Sequence, residues 1–319
     1  MNNPECHFED YIKNSEIKDL HPKITKQINL WPSKIEDINN IIFYGPPGTG
    51  KYTLALKCIK KYSPSQLKYE KKVSINSSKG IFIVKISDIH FEIDMALLGC
   101  NSKQLWHEIY LHILDVISAK GMRVGIILCK NFHEIHSELL ETFYSYMQTV
   151  FTPIKIKFFI LTEEISFIND NIRKCCQICS IPRPTRLIYN KCLGLKLEKD
   201  YNLSDISNLK KIELNDNSIN TLINISNKIV NCLLEIDEIK FLKFRDLLYD
   251  LFINNLSIPH CIWSVLEILL EKKKLKEEDM PEIMKKMYEF LQFFNNNYRP
   301  IYHLESFMFF LVRKIHEFK

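Results

Sequence analysis

Residues 43 to 56 read FYGPPGTGKYTLAL, and the chemistry open to them is set by Gly45, Gly48, Gly50 and Lys51. Glycines at that spacing let a backbone wrap an anion, so that amide hydrogens and the positive end of a following helix point at a β-phosphate. Lys51 adds a point charge near the β- and γ-phosphates. The pattern G-x-x-x-x-G-K-[ST] holds from Gly45 to Lys51 and breaks at Tyr52, where a Ser or Thr hydroxyl would meet Mg²⁺. A tyrosyl oxygen sits too far from its own backbone to fill that ligand position. Thr53 is one residue late, a rotation of about 100° on a helix. The residues expected to hold ATP or ADP are therefore Gly45, Pro46, Pro47, Gly48, Thr49, Gly50, Lys51, Tyr52 and Thr53. No residue is assigned as a metal ligand, and magnesium binding is expected to be compromised.

Those residues need a strand before them and a helix after. NIIFYG is a short β-rich run stopping at glycine, and KYTLALKCIKKY repeats its apolar residues at helical spacing. IFIVKI and HFEIDM read as strands, and SKQLWHEIYLHILDVISAKG as an amphipathic helix ended by Gly121. RVGIILC reads as a buried strand, SELLETFYSYMQTVF as a helix and IKIKFFILT as another strand. This alternation predicts an α/β domain with a parallel sheet covered by helices on both faces. The buried strand RVGIILCKNF should end in acids that hold magnesium and polarise water, yet it ends in Cys129 and Lys130. A protonated lysine there is neither metal ligand nor general base. Asp88, Glu92, Asp94 and Glu134 lie nearby in sequence, but none reads as a strand end at the right spacing. Nucleotide held without hydrolysis is the expectation, with no catalytic residue assigned.

From about Thr185 the chain turns polar and Asn-rich, and beyond about Ser226 four helical stretches follow: NKIVNCLLEIDEIKFLKFRDLLYDLFINN, CIWSVLEILLEKKKL, MPEIMKKMYEFLQFFNNN and YHLESFMFFLVRKIHEF. The expected domains are 1–184, nucleotide-binding; 185–225, a small or linking domain; and 226–319, all-helical. With 319 residues, 46% hydrophobic and 25% charged, the composition is that of an ordinary globular chain of two or three domains. The net charge of +5 comes from 43 basic and 38 acidic side chains, mostly interspersed, and does not by itself mark an anionic partner. MNNPECHFEDY lacks the layout of a signal peptide, and FMFFLV is too short to span a bilayer. With 10 cysteines, the expectation is a reducing compartment, cytosol or nucleus, and no association with membranes. Cys175, Cys176 and Cys179 match no paired zinc spacing and are read as buried thiols.

Taken together, the chain resembles the small subunits of replication factor C, the AAA+ sliding-clamp loader. Among these it is most similar to the end-position subunit whose loop reads G-K-K-T, since YGPPGTGKYT shares the displaced threonine. HFEIDMALLGCNSKQLWHEIYLHIL, NIRKCCQICSIPRPT and RPIYHLESFMFFLVRKI follow family segments in register, the last of them in the helical collar. The resemblance implies an AAA+ domain, a shortened lid over 185–225 with Lys210 in place of an arginine, and a collar that closes a hetero-pentamer. It implies other clamp-loader subunits, a sliding clamp and primer-template DNA as partners, and a nucleus or a cytoplasmic DNA-replication compartment as location. It also implies departures. The arginine finger becomes Cys175, between Lys174 and Cys176; the sensor asparagine aligns with Glu164; and the opening box that covers the base is missing. Lys103, Lys130 and Lys174 are placed toward DNA phosphates, each weighed against an ordinary surface charge. Two other readings stay open: a weak ATPase using Thr53 and an unrecognised acid, and a nucleotide-free scaffold.

Overall fold

In a computed structural model of the chain, the described residues are 7–77, 80–121, 123–148, 154–194, 196, 203, 221–235, 241–254, 256–296 and 300–317. The chain divides into two compact units, Met1–Leu209 and Lys210–Lys319.

In the first unit, helices α1 (Phe8–Ile17) and α2 (Pro22–Asn29) precede β1 (Asn40–Tyr44), the loop 45–50 and α3 (Lys51–Tyr62). Then come β2 (Lys71–Ser77), β3 (Gly80–Ile86), β4 (His90–Asp94), α4 (Ser102–Ser118), β5 (Val124–Lys130), α5 (Ser137–Met147), β6 (Lys155–Thr162), α6 (Asp170–Lys174), β7 (Cys176–Ser180) and α7 (Arg186–Leu193). The seven strands form one sheet in the order β2-β3-β4-β5-β6-β1-β7. From β4 to β7 all neighbours are parallel, as the alternation of strands and helices predicts. β2 and β3 add an antiparallel edge. The sequence reading missed β2, whose run KKVSINS is too charged to stand out as a buried strand.

Strand pleating sends alternate residues to opposite faces, and both faces are covered. Ile41 and Phe43 of β1, Ile126 and Leu128 of β5, and Phe159 and Leu161 of β6 pack with Leu54, Ala55, Cys58 and Ile59 of α3. Ile42, Ile127, Cys129, Phe158 and Ile160 pack on the other side with Trp106, Ile109 and Ile113 of α4, and Leu139 and Phe143 of α5. The Trp106 and Phe143 rings lie 5.0 Å apart, and both side chains are fully buried. Burying each such side chain contributes roughly 1.5–3 kcal/mol, which holds the helices to the sheet and fixes where their termini point.

The second unit has α8 (Thr221–Leu234), α9 (Phe241–Ile253), α10 (Ile258–Glu271), α11 (Met280–Asn296) and α12 (Pro300–Ile315). An all-helical region was expected, and the described residues of its first stretch lie in α8 and α9. Apolar residues three and four apart, such as Ile258, Cys261, Ile262, Val265 and Leu269 of α10, supply one core together with Ile229, Leu233, Leu248, Ile283, Leu304 and Leu311. Within it Glu305, 6% exposed, is forked by Arg245, whose guanidinium lies 4.4 Å from the Phe241 ring centre. Of the lid expected over 185–225, α7 belongs to the first unit; Lys210 and most of the rest lie outside the described residues.

Candidate phosphate-binding site

β1 runs into the loop without slack, because the Gly45 N–H donates to the Thr162 carbonyl at the end of β6, 3.3 Å away. A Cβ at Gly45 would stand 2.2 Å from the Ile181 carbonyl oxygen just past β7, so only glycine fits between the two strands. Gly48 and Gly50 have φ of 71° and 85°, the left-handed backbone that turns the chain into α3. No side chain caps the start of α3.

The loop's carbonyls are turned to donors on all sides. Lys51 Nζ donates to the carbonyls of Gly45 and Pro46, both at 2.8 Å, and Thr49 Oγ1 also donates to Pro46, at 2.9 Å. His21 Nε2 donates to the Thr49 carbonyl at 2.7 Å, and an Arg183 guanidinium nitrogen donates to Pro47 at 3.2 Å. Pro46 and Pro47 carry no N–H, so the amides open to a bound anion begin at Gly48 and run through Thr49, Gly50 and Lys51 into the first turn of α3 at Tyr52 and Thr53. Burial pushes the Lys51 ammonium below its ordinary value, and Glu163, with Oε1 3.3 Å away, pulls it partly back. His21 is buried, and burial lowers its pKa.

The residues at the end of β5 do not act as a pair. Cys129 packs with Ile127 into the core on the α4 and α5 side, where burial pushes its thiol up. Lys130, one residue on, meets α3: its Nζ lies 5.6 Å from the centre of the Tyr52 ring and 3.5 Å from Glu92 Oε2. Tyr52 Oη donates to Glu92 Oε1 at 2.7 Å, and His90 Nε2 stands 3.6 Å from the same oxygen. Glu92 is 3% exposed. Burial works against its charge, but His90, Lys130 and Tyr52 outweigh that and hold its carboxyl below the usual range. Burial and the neighbouring Glu92 push the Tyr52 phenol well up, so it stays a donor.

A phosphate loop ordinarily shares Mg²⁺ between the hydroxyl that follows its lysine and an acid at the end of a neighbouring strand. The residues present do not fit that ion. Tyr52 reaches past the position, Lys130 brings a positive charge to it, and the Glu92 carboxylate is engaged by both. Asp94, which does close β4 where the sequence reading placed no strand-end acid, accepts from Asn131 Nδ2 at 3.0 Å and caps Ala96.

The sequence also singled out Glu164, the cysteines Cys175, Cys176 and Cys179, and Lys103. Glu163, rather than Glu164, meets Lys51; Glu164 is exposed, and its backbone N–H and carbonyl are tied to Thr162 Oγ1. Cys175 is exposed at the end of α6 rather than buried, beside an exposed Lys174 and an Arg173 that pairs with Asp170 three residues earlier. Cys176 and Cys179 are half-buried on β7, and burial pushes the Cys176 thiol up to about 12. Lys103 is exposed at the start of α4, along an open groove with His107, Glu138 and Tyr146. Sequence reasoning missed Glu163, Arg183 and His21. The first two lie just past the carboxyl ends of β6 and β7, the end of a parallel sheet where ligands collect, and that position was the available signal.

Fold and loop together define an α/β protein with a phosphate-loop element at the carboxyl end of its parallel strands. No family model matches the sequence, and no curated protein does. Among solved structures the chain is similar to that of C. elegans PCH-2, at 12% identity over 64% of this chain and 51% of that one, with a TM-score of 0.35. The chain thus spans about half the length of that structure, a likeness too distant to bear on family or function.

Proposed function

We propose that this chain is an AAA+-type nucleotide-binding subunit that holds ATP or ADP with little or no hydrolysis, within a sliding-clamp loader like replication factor C. The observation that carries the reading is the contrast between a built loop, with Gly48 and Gly50 left-handed and Lys51 at its base, and a β5 end that offers Cys129 and Lys130 in place of acids. Anion cradles of this kind bind nucleotide phosphates through backbone amides, and phosphoryl transfer needs the metal and water-orienting groups that are replaced here.

Calorimetric titration of the full chain with ATP and ADP, beside a phosphate-release assay, tests this. Binding lost in Lys51→Ala, with no phosphate released, is the expected outcome; turnover comparable to an active ATPase sinks the non-hydrolysing reading. A weak ATPase is the second reading, favoured by Glu163 alone, the one carboxylate found at the loop lysine among the described residues. Phosphate release that disappears in Glu163→Gln would promote it.

The clamp-loader role rests on the sequence resemblance, with other loader subunits, a sliding clamp and primer-template DNA as partners in a nuclear or cytoplasmic replication compartment. In the helical unit, Leu242, Tyr249 and Ile253 of α9 are 70%, 42% and 75% exposed at spacings that share one helix side, the pattern of an association face. Sedimentation of the chain with candidate ring subunits is the check. Assembly that Leu242→Glu and Ile253→Glu abolish supports the role, and a chain that stays monomeric beside every such partner removes it.

A further inference from the structure

The residue after the loop lysine and the end of β5 are the two places between which a phosphate-loop protein holds its divalent cation. Here the same two places hold an anion. Tyr52 Oη donates to Glu92 Oε1 at 2.7 Å, and Lys130 Nζ stands 3.5 Å from Glu92 Oε2. The Glu92 side chain is 1% exposed, so its charge is fixed within the protein and requires partners. The Lys130 side chain is 30% exposed and lies over the Tyr52 ring, so it reaches from that buried carboxylate to the solvent side at the first turn of α3. A divalent cation would have to break the Tyr52 hydrogen bond and displace an ammonium of its own sign to reach either oxygen. Asp94, the carboxylate opposite Lys130 at the end of β4, is held by Asn131.

We propose that the site binds a nucleoside polyphosphate without a divalent metal, and that Lys130, anchored by Glu92 and Tyr52, is the fixed cation in the metal's place. The proposal rests on the phosphate-loop reading above and deepens it. Lys51 and the loop amides take the β-phosphate side. Lys130 supplies the charge that magnesium would otherwise bring on the β5 side, as part of the fold and with nothing to load or lose.

The test uses ADP and ATP carrying an N-methylanthraniloyl fluorophore, titrated into the full chain in EDTA and in excess Mg²⁺. Dissociation constants in the two buffers should agree to within about twofold, and Lys130→Met should weaken binding in EDTA by about tenfold, one charge-assisted contact. Thermal melts by circular dichroism establish that the variant is folded. The paired change Tyr52→Thr with Lys130→Asp should restore a dependence on Mg²⁺. Wild-type binding that is tenfold or more tighter with Mg²⁺ overturns this proposal and leaves nucleotide binding standing. Folded Lys130→Met that binds like wild type removes Lys130 from the site even if metal is dispensable. Absence of binding in both buffers overturns the phosphate-loop reading itself.

Discussion

The two halves of the candidate site are made of different materials. On the β1 side the cradle is backbone: left-handed glycines, carbonyls turned outward to Lys51, Arg183 and His21, and an uncapped helix start. On the β5 side everything is side chain: Tyr52, Lys130 and His90 around the buried Glu92 carboxylate. A backbone device survives changes of its neighbours as long as glycine stays where glycine is needed. A side-chain device is remade by two substitutions. The contrast sets a loop shape secured by glycine spacing against a neighbouring position whose charge is decided by a few side chains.

The strongest way to break the backbone half is Gly45→Ala. The new methyl would meet the Ile181 carbonyl oxygen just past β7 at 2.2 Å, and backbone cannot swing aside as a side chain can. A loss of about 3 kcal/mol in unfolding free energy is expected, at the upper end of ordinary overpacking. Urea unfolding measures it, and a midpoint equal to wild type would mean that β1 and β7 are not held as close as described.

Breaking the side-chain half should cost less. Tyr52→Phe keeps the ring under Lys130 and removes only the hydroxyl that satisfies Glu92, leaving a buried carboxylate short of its best donor. The expected cost is about 2 kcal/mol, the range for a hydrogen bond to a buried charge. A neutral result would show that Lys130 and His90 satisfy Glu92 without help.

How much of this contrast is legible in sequence follows from the same division. The loop is written in adjacent residues, so glycine spacing reveals it. The β5 side is assembled from Tyr52, Glu92 and Lys130, which only the register of the sheet brings together: Glu92 lies opposite Leu128, and Asp94 opposite Lys130. Pleating then decides which neighbour counts. Lys130 shares the parity of Ile126 and Leu128, which face α3, whereas Cys129 shares that of Ile127 and faces away. In the same way Glu163 keeps step with Phe159 and Leu161, so it and not Glu164 comes to Lys51. The parity was present in the string ILTEE and in RVGIILCKNF, but not the knowledge of which face carries α3. The parallel core was legible because its strands are nearly continuous apolar runs; the β2 edge, half in solvent, was not.

A smaller perturbation sharpens the comparison where the halves meet. Glu163 competes with any bound anion for Lys51 across a pair that is 33% exposed on the carboxylate side. Such a pair contributes about 0.5–1 kcal/mol, so Glu163→Gln should tighten ATP binding by about two- to fivefold. Equal affinities for the variant and the wild type would mean that Lys51 leaves Glu163 at no cost on binding, and that the carboxylate is a bystander.

The smallest expected effect is a slope. His21 is buried against the Thr49 carbonyl, with Asp19 nearby favouring its charge and Lys57 opposing it, and burial leaves its pKa below the ordinary value. Above about pH 6.5 the ring is neutral in both folded and unfolded chains and stability does not depend on it. As pH falls below that value, the unfolded chain takes up a proton that the folded one refuses. Stability therefore declines from about pH 6.5 down to the lower folded pKa, and is flat again below it as far as this group is concerned. His21→Gln keeps a side-chain donor for Thr49 and has nothing to titrate. Urea midpoints between pH 7.5 and about 5.5 should fall less steeply for that variant than for wild type. Parallel slopes would mean that the ring charges in place, and that the backbone half of the site is held on this side by shape rather than by a neutral imidazole.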